Sequence, residues 1–334
     1  MIGFGNVGRS FAEIVNERAD QLKKIYGITP QVVAIADRGG AIVNDDGVDL
    51  GEALSIRKSA DSVAAHMTLG QRGKSALAVI ESVDADVLLE LTTTIIPDGE
   101  PGLTHIESAL KKGLHVVTTN KGPLATAMPA LLELAQYQGV HLKFSGAVGG
   151  GTPILSFAKE SLVGEKIESI EGILNGTTNY ILTRMFEAGI TIEEALKEAF
   201  EAGYAEADPS YDINGLDTAA KLVILCNWIM GRNVSIRDVD MEGISNVTVQ
   251  DVEKAKRLGK AIKLVGRING SVMSVGPSPV PLDNPLCVKG ALNAILFRTE
   301  LAGDIILTGR GAGGRETASA VLRDIIDIKK TMLK

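Results

Sequence analysis

Gly3-Phe4-Gly5-Asn6-Val7-Gly8 stands almost at the start of the chain, and how this Gly-x-Gly-x-x-Gly run is read decides the fold. Behind it Val7, Phe11, Ile14, Val15, Leu22 and Ile25 fall mostly at helical spacing until Gly27 stops the helix. In a dinucleotide-binding βαβ unit the first glycine permits a tight turn. The second lets backbone approach a pyrophosphate, and the third packs helix on strand. The helix start then offers unpaired N–H groups and partial positive charge to a diphosphate. The motif alone is weak, and a glycine turn with no ligand is the bland alternative. Context weighs against that: Val32-Val33-Ala34-Ile35-Ala36 reads as the next strand, ended by Asp37-Arg38-Gly39-Gly40. Only Met1 and Ile2 precede Gly3, far short of a strand of about 5–6 residues. Either earlier residues are missing, which is the favoured reading, or the first strand is severely shortened.

Working outward, Asp86–Leu91, Leu114–Thr118 and Val140–Phe144 read as further strands, with helices around Thr104–Lys112 and Met128–Tyr137. This alternation predicts an α/β domain, a doubly wound parallel sheet covered by helices. The glycine cluster Ser145–Pro153 marks a boundary. Beyond it a strand near Ile167–Leu174, helices near Thr177–Ala188, Ile192–Ala202 and Leu216–Met230, and strand-like runs at Ala261–Ile268 and Val272–Val275 suggest an α+β unit. Gly309–Lys330 is glycine-rich and then helical, and is expected to return to the first domain. The expected division is 1–147 with 308–334, and 148–307.

A chain of 334 residues fits two domains, at roughly 100–200 residues each. With 45% hydrophobic and 22% charged residues it has an ordinary globular composition. The net charge of −7 argues against nucleic-acid or acidic-membrane binding. No apolar run approaches a membrane span, and no secretory leader precedes Gly3. Cys226 and Cys287 lack Cys-x-x-Cys spacing, and His66, His105, His115 and His141 lack paired ligand spacing. A reducing cytoplasm is therefore expected.

Asp37 suits the ribose hydroxyls of NAD, while Arg38 suits the 2′-phosphate of NADP, with a solvated turn as the competing role of Arg38. The most informative segment is Gly203–Lys221, where Glu206, Asp208, Asp212 and Asp217 precede Lys221. A calcium loop fails, because its twelfth position would be Lys221 and not a bidentate Glu. Asp217 and Lys221 share one face of a helix that is apolar almost all round. A buried ion pair is weak evidence for stability, so an amino-acid-like substrate and proton transfer explain this pair better than structure alone. Lys121, in Thr118-Thr119-Asn120-Lys121-Gly122-Pro123, follows a strand's carboxyl end, where ligands bind in open α/β sheets. Thr92-Thr93-Thr94 is similarly placed for a nicotinamide ribose.

Taken together these residues resemble homoserine dehydrogenase over nearly the whole chain. Ala199, Gly203, Asp208-Pro209, Asp212, Gly215, Asp217 and Lys221 meet its signature. The glycine loop, Asn120–Pro123, Gly172–Tyr180 and Gly309–Gly314 are similar too. The resemblance implies a Rossmann domain, a second catalytic and dimerising α+β domain, and a homodimer. It implies NAD(P)-linked interconversion of L-homoserine and L-aspartate 4-semialdehyde, on the route to threonine and methionine. Lys121 and Lys221 carry over as catalytic lysines. Glu206, Asp217 and Gly203 carry over as substrate positions, and Gly3, Gly5, Asn6, Val7, Gly8, Asp37, Arg38, Thr92, Thr93, Lys121 and Gly311 as cofactor contacts. Val148, Gly150 and Thr152 match a site where carbonyls bind sodium, although Ser145 replaces the carboxylate ligand of some members. A monofunctional form without a C-terminal regulatory (ACT) domain, insensitive to threonine, is expected. A dehydrogenase of another amino-acid semialdehyde and a non-catalytic NADP(H) sensor are the competing readings. Retention of both lysines and the acid cluster weighs against the sensor.

Overall fold

Ile2 is the centre of the first sheet. The structure, a computed structural model, describes residues 1–332 and divides into Met1–Ala147 with the segment from Gly313 onward, and Val148–Ala312. The first unit runs α1 (Asn6–Gln21), β1 (Ala34–Asp37), β2 (Gly40–Val43), α2 (Leu50–Ser59), β3 (Gly70–Arg72), α3 (Ala76–Ser82), β4 (Val87–Glu90), α4 (Gly102–Lys111), β5 (His115–Thr118), α5 (Lys121–Tyr137) and β6 (Leu142–Lys143). Strands β4, β5 and β6 are parallel, and Ile2 bridges in parallel to both Ala36 and Glu90. A two-sided set of bonds holds it there: Ile2 N–H to Leu89 O and Leu91 N–H to Ile2 O, both 2.8 Å, and Gly3 N–H to Ala36 O, 2.8 Å.

Strands β2 and β3 add an antiparallel edge that the sequence reading did not anticipate. Strand β1 ends at Asp37 as expected, and Asp37 pairs with Gly40, so Arg38-Gly39 is a two-residue hairpin turn into β2. Gly40, at φ +140, also has no room for a side chain against Gln71 O. Helix α5 starts at Lys121, seven residues before the expected Met128, with Asn120 Oδ1 capping Gly122 N–H at 3.0 Å. Pro123 is tolerated in a first turn, where its missing N–H has no partner to lose. The kink at Ala127, ahead of the interior Pro129, accounts for the late apparent start.

The second unit contains α6 (Ile154–Ser156), β7 (Ile167–Ile173), α7 (Gly176–Ala188), α8 (Ile192–Glu201), α9 (Ser210–Ile213), α10 (Leu216–Met230), β8 (Val239–Met241), α11 (Val249–Arg257), β9 (Lys260–Asn269), β10 (Val272–Pro281), β11 (Leu292–Thr299) and β12 (Gly303–Arg310). Its sheet has the order β12-β11-β7-β9-β10-β8, antiparallel except for β8 beside β10. Strand β10 outlasts the predicted Val275 through Pro277, Pro279 and Pro281. Strand β8 pairs only with Met273–Val275, so these prolines lie where β10 has become an edge, the place where a missing N–H is harmless. The helix α10 is buried from Asp217 to Asn227, as its apolar circumference implies. Its Thr218 and Leu222 lie against Gly266 of β9, with about 3.1 Å left for any added Cβ. The β11–β12 hairpin was not foreseen, and it keeps the chain in the second unit through Ala312, so the return comes at Gly313 and not at 308. Among the described residues no helix is long and apolar enough to cross a membrane.

The chain then closes the first unit with α12 (Gly314–Met332). Its Asp324 is 4% exposed and accepts Ser145 N–H at 2.9 Å and Ser145 Oγ–H at 2.6 Å. Burial raises this carboxyl to about 6, against the opposing pull of those bonds and of Lys143 and Arg323. The neutral acid is thus favoured by the fold, relative to an unfolded value of about 3.9. This contribution to stability is complete below pH ~4 and is lost as pH rises through about 6. Its full size is on the order of 3 kcal/mol. Asp324→Asn is therefore expected to raise the melting temperature at pH 8, with the advantage shrinking toward pH 4. An advantage independent of pH in thermal unfolding would contradict this.

Candidate active site

The three glycines of the opening loop divide their tasks as the motif requires. Gly3 has φ +95, and a Cβ there would stand 2.5 Å from Leu91 O. A Cβ on Gly8 would stand 2.5 Å from Gly3 O, whereas one on Gly5 would meet nothing within 4 Å. Gly5 caps α1 without any side-chain bond, and the first turn, beginning Asn6-Val7, holds no acidic residue. The helix end is thus bare of side-chain caps and repelling charge, the setting in which a phosphate binds. A cavity of about 470 Å³ runs beside α1 from Asn6, with Arg9, Lys58 and Arg315 but also the acids Glu13 and Glu316 in its wall. The uncapped helix start and the open Gly5 fit a dinucleotide diphosphate.

Asp37 is drawn onto its own loops. Its Oδ1 accepts Gly39 N–H at 2.9 Å and Ser62 Oγ–H at 2.6 Å, and its Oδ2 accepts Val63 N–H at 2.8 Å. Arg57 Nε stands 3.8 Å from Oδ2. Three of about four acceptor sites are filled, which leaves little for a ribose. Arg38, by contrast, is exposed at the hairpin tip.

At the ends of β4 and β5 the Asn-Lys-Gly-Pro turn is built into the sheet. Asn120 Nδ2 donates to Thr92 Oγ1 at 3.2 Å and to Thr93 O at 3.4 Å. Lys121 N–H donates to Thr94 Oγ1 at 3.4 Å. Gly122 leaves no space for a Cβ against Ile95 O, which explains the glycine after the lysine. The structure thus brings Thr92, Thr93 and Lys121 together. It also places the wholly buried Glu90 under them, a residue the sequence reading passed over although it is a carboxylate in an otherwise apolar strand.

In the second unit Lys221 Nζ pairs with Asp217 Oδ2 and donates to Leu174 O, both at 2.6 Å. Asn175 caps α7 and turns its Nδ2 to Asp212 Oδ1 at 2.6 Å and Asp217 Oδ2 at 2.9 Å. Burial, followed by repulsion from Asp217, raises the Asp212 carboxyl, while Asn175 and Lys221 oppose the rise. Asn293 Nδ2 shares Leu174 O at 3.0 Å and lies hard against the space a Cβ on Gly311 would need. Asn175 and Asn293 were missed as site residues, though Asn175 lies inside the matched Gly172–Tyr180 run. Glu206 and Gly203 do not join this cluster: both are exposed on the segment between α8 and α9.

At the glycine cluster, Gly149 and Gly150 take φ +86 and +53, and Thr152 O accepts Ile154 N–H at 2.8 Å. Ser145 spends its hydroxyl proton on Asp324. Among the described residues no group of three His, Cys, Asp or Glu gathers to hold a metal.

An open glycine loop in one unit and a buried lysine–carboxylate cluster in the other define an NAD(P)-dependent oxidoreductase. Residues 3–145 match the family model of the homoserine dehydrogenase NAD binding domain, and residues 153–326 that of homoserine dehydrogenase. The chain belongs to the homoserine dehydrogenase family. It is 47% identical to a homoserine dehydrogenase of Methanocaldococcus jannaschii, across 100% of this chain and 99% of that one. It is 40% identical to an NAD(+)-dependent homoserine dehydrogenase of Pseudomonas canavaninivorans, across 99% and 96%. A hyperthermophilic archaeal homoserine dehydrogenase solved in complex with NADPH superposes with a TM-score of 0.86 at 33% identity, covering 99% of this chain and 96% of that one.

Proposed function

We propose that the protein reversibly reduces L-aspartate 4-semialdehyde to L-homoserine with NAD(P)H, as a cytoplasmic homodimer. The observation that carries this reading is Lys221, buried on α10 and fixed by Asp217 and Leu174 O. When bound, the nicotinamide supplies or accepts the hydride. Lys221 then gives a proton to the aldehyde oxygen as it becomes an alkoxide, and takes it back in the reverse direction. Lys121 assists the reaction. Asp217 orients the ammonium, Glu206 holds the substrate α-ammonium, and Gly203 lines the site through its backbone. Gly3, Gly5, Asn6, Val7 and Gly8 take the diphosphate, and Thr92, Thr93 and Gly311 contact the nicotinamide side. A sodium ion on the carbonyls of Val148, Gly150 and Thr152 belongs to the same reading. Two unpaired thiols, Cys226 and Cys287, suit a reducing compartment.

Parallel assays of NADH and NADPH oxidation with aspartate semialdehyde and close analogues test the substrate. Equal or better turnover of another semialdehyde would replace this reading. For the cofactor, both nicotinamides bind and NADP(H) binds tighter, through exposed Arg38, while Asp37 is occupied by its loops. A charge-assisted bond of about 1.5–3 kcal/mol is at stake. Arg38→Ala is expected to weaken NADPH by roughly 10- to 100-fold and leave NADH nearly unchanged in fluorescence titrations. Equal loss for both would show that Arg38 reads no phosphate.

A further inference from the structure

Glu90 ends β4 with its side chain 0% exposed, in a strand whose neighbouring Leu88 and Leu89 are apolar core. Burying a carboxylate is costly unless its bonds are satisfied. His105 Nδ1 is 3.7 Å from Oε1, too far to hydrogen-bond. What faces the carboxylate instead is a set of neutral donors. Oε1 accepts the Thr92 N–H at 3.2 Å and the Thr92 hydroxyl, and Oε2 accepts the Thr118 hydroxyl at 3.0 Å. Both hydroxyls are in turn acceptors for a single residue: Asn120 N–H donates to Thr118 Oγ1 at 3.0 Å, and Asn120 Nδ2 to Thr92 Oγ1 at 3.2 Å. Asn120 then caps α5, whose first residue is Lys121.

From this geometry we infer that Glu90 is a positioning residue for the reaction, one that sets the pose of Lys121 and Thr92 through the two threonine hydroxyls and Asn120. The inference rests on the functional reading above for the roles of Lys121 and Thr92. Its chemistry requires a carboxylate. Because each hydroxyl accepts from Asn120, each directs its proton at Glu90, and the two protons reach different oxygens, Oε1 and Oε2. Glutamine offers one oxygen and an NH₂ group, so it can satisfy only one threonine. The other hydroxyl must turn away, and its bond to Asn120 is disturbed. An apolar residue would serve the core of β4 equally well and would hold neither.

The test compares Glu90→Gln, Thr118→Val and the double variant with the wild type, reading kcat, the KM for L-homoserine, NADPH affinity by fluorescence, and thermal unfolding. Glu90→Gln is expected to lower kcat by about 10- to 100-fold, the scale of a small misplacement of a catalytic group. The homoserine KM should stay within about twofold, because a positioning effect acts on turnover. The double variant should fall little further than Glu90→Gln, since both changes cut one chain of bonds. A reduced melting temperature with kcat within about twofold of wild type would overturn the inference, leaving Glu90 purely structural. Multiplicative losses in the double variant would overturn it as well. Should Glu90→Gln fail to fold, Thr118→Val alone decides: unchanged kcat refutes the link. A wild-type enzyme inactive on homoserine would defeat the functional reading instead. Positioning of Thr92 is then judged by NADPH binding, which Glu90→Gln must weaken at least about fivefold.

Discussion

Lys221→Met is expected to cut the turnover number by about 10²–10⁴-fold while dinucleotide affinity stays intact. Methionine approximates the length of the lysine stem but carries no proton, so only the acid–base step is removed. The residue is 7% exposed, and its ammonium is held by Asp217 and Leu174 O. That rigidity suits a group that must meet one developing oxygen. Loss of the ammonium leaves Asp217 with the Asn175 bond at 2.9 Å, so some destabilisation accompanies the change. Turnover must therefore be normalised to folded enzyme. Glu206→Gln should behave differently and mainly raise the Michaelis constant, because a group that holds the substrate's α-ammonium contributes uniform binding. Near-wild-type turnover in Lys221→Met, with abolition in Lys121→Met, would reverse the roles of the two lysines.

The second large effect separates two glycines of one motif. At Gly5 a Cβ meets no protein atom within 4 Å, and its φ of −82 is open to alanine. Gly5→Ala should thus melt within a few degrees of wild type. It should still lose NADPH affinity by about 100-fold, because the methyl occupies the space through which pyrophosphate reaches the backbone. At Gly8 the methyl would stand 2.5 Å from Gly3 O, a backbone atom that cannot step aside. Gly8→Ala should cost about 1–3 kcal/mol of stability, the range for overpacking. Calorimetric unfolding and fluorescence titration on both variants check this. A Gly5→Ala protein that binds NADPH normally would remove the loop from the cofactor site.

Signals that live in local chain chemistry were legible in the sequence. The helix α10 announced its burial through apolar residues on every face, and Leu216–Met230 is where it runs. The Gly-x-Gly-x-x-Gly loop declared a tight turn into a helix, because the positive φ of Gly3 and the close approach of Gly8 to Gly3 O both require a residue without a Cβ. Asp217 and Lys221 were paired by helical spacing alone, since residues four apart share a face.

What depends on distant partners was decided only in three dimensions. Ile2 is a central strand of one residue because Ala36 and Glu90 flank it, and no local pattern encodes that. Asp37 had the right position for a ribose, yet its carboxylate is claimed by Ser62 and Val63, residues remote in the chain. Asn175, Asn293 and Glu90 are polar side chains whose value comes from what they meet: Asp212 and Asp217, Leu174 O, and two threonines with one asparagine. A hydrogen bond needs donor and acceptor within about 3 Å, and spacing along the chain specifies that distance only within a helix turn or a tight loop. Tertiary structure supplies it everywhere else.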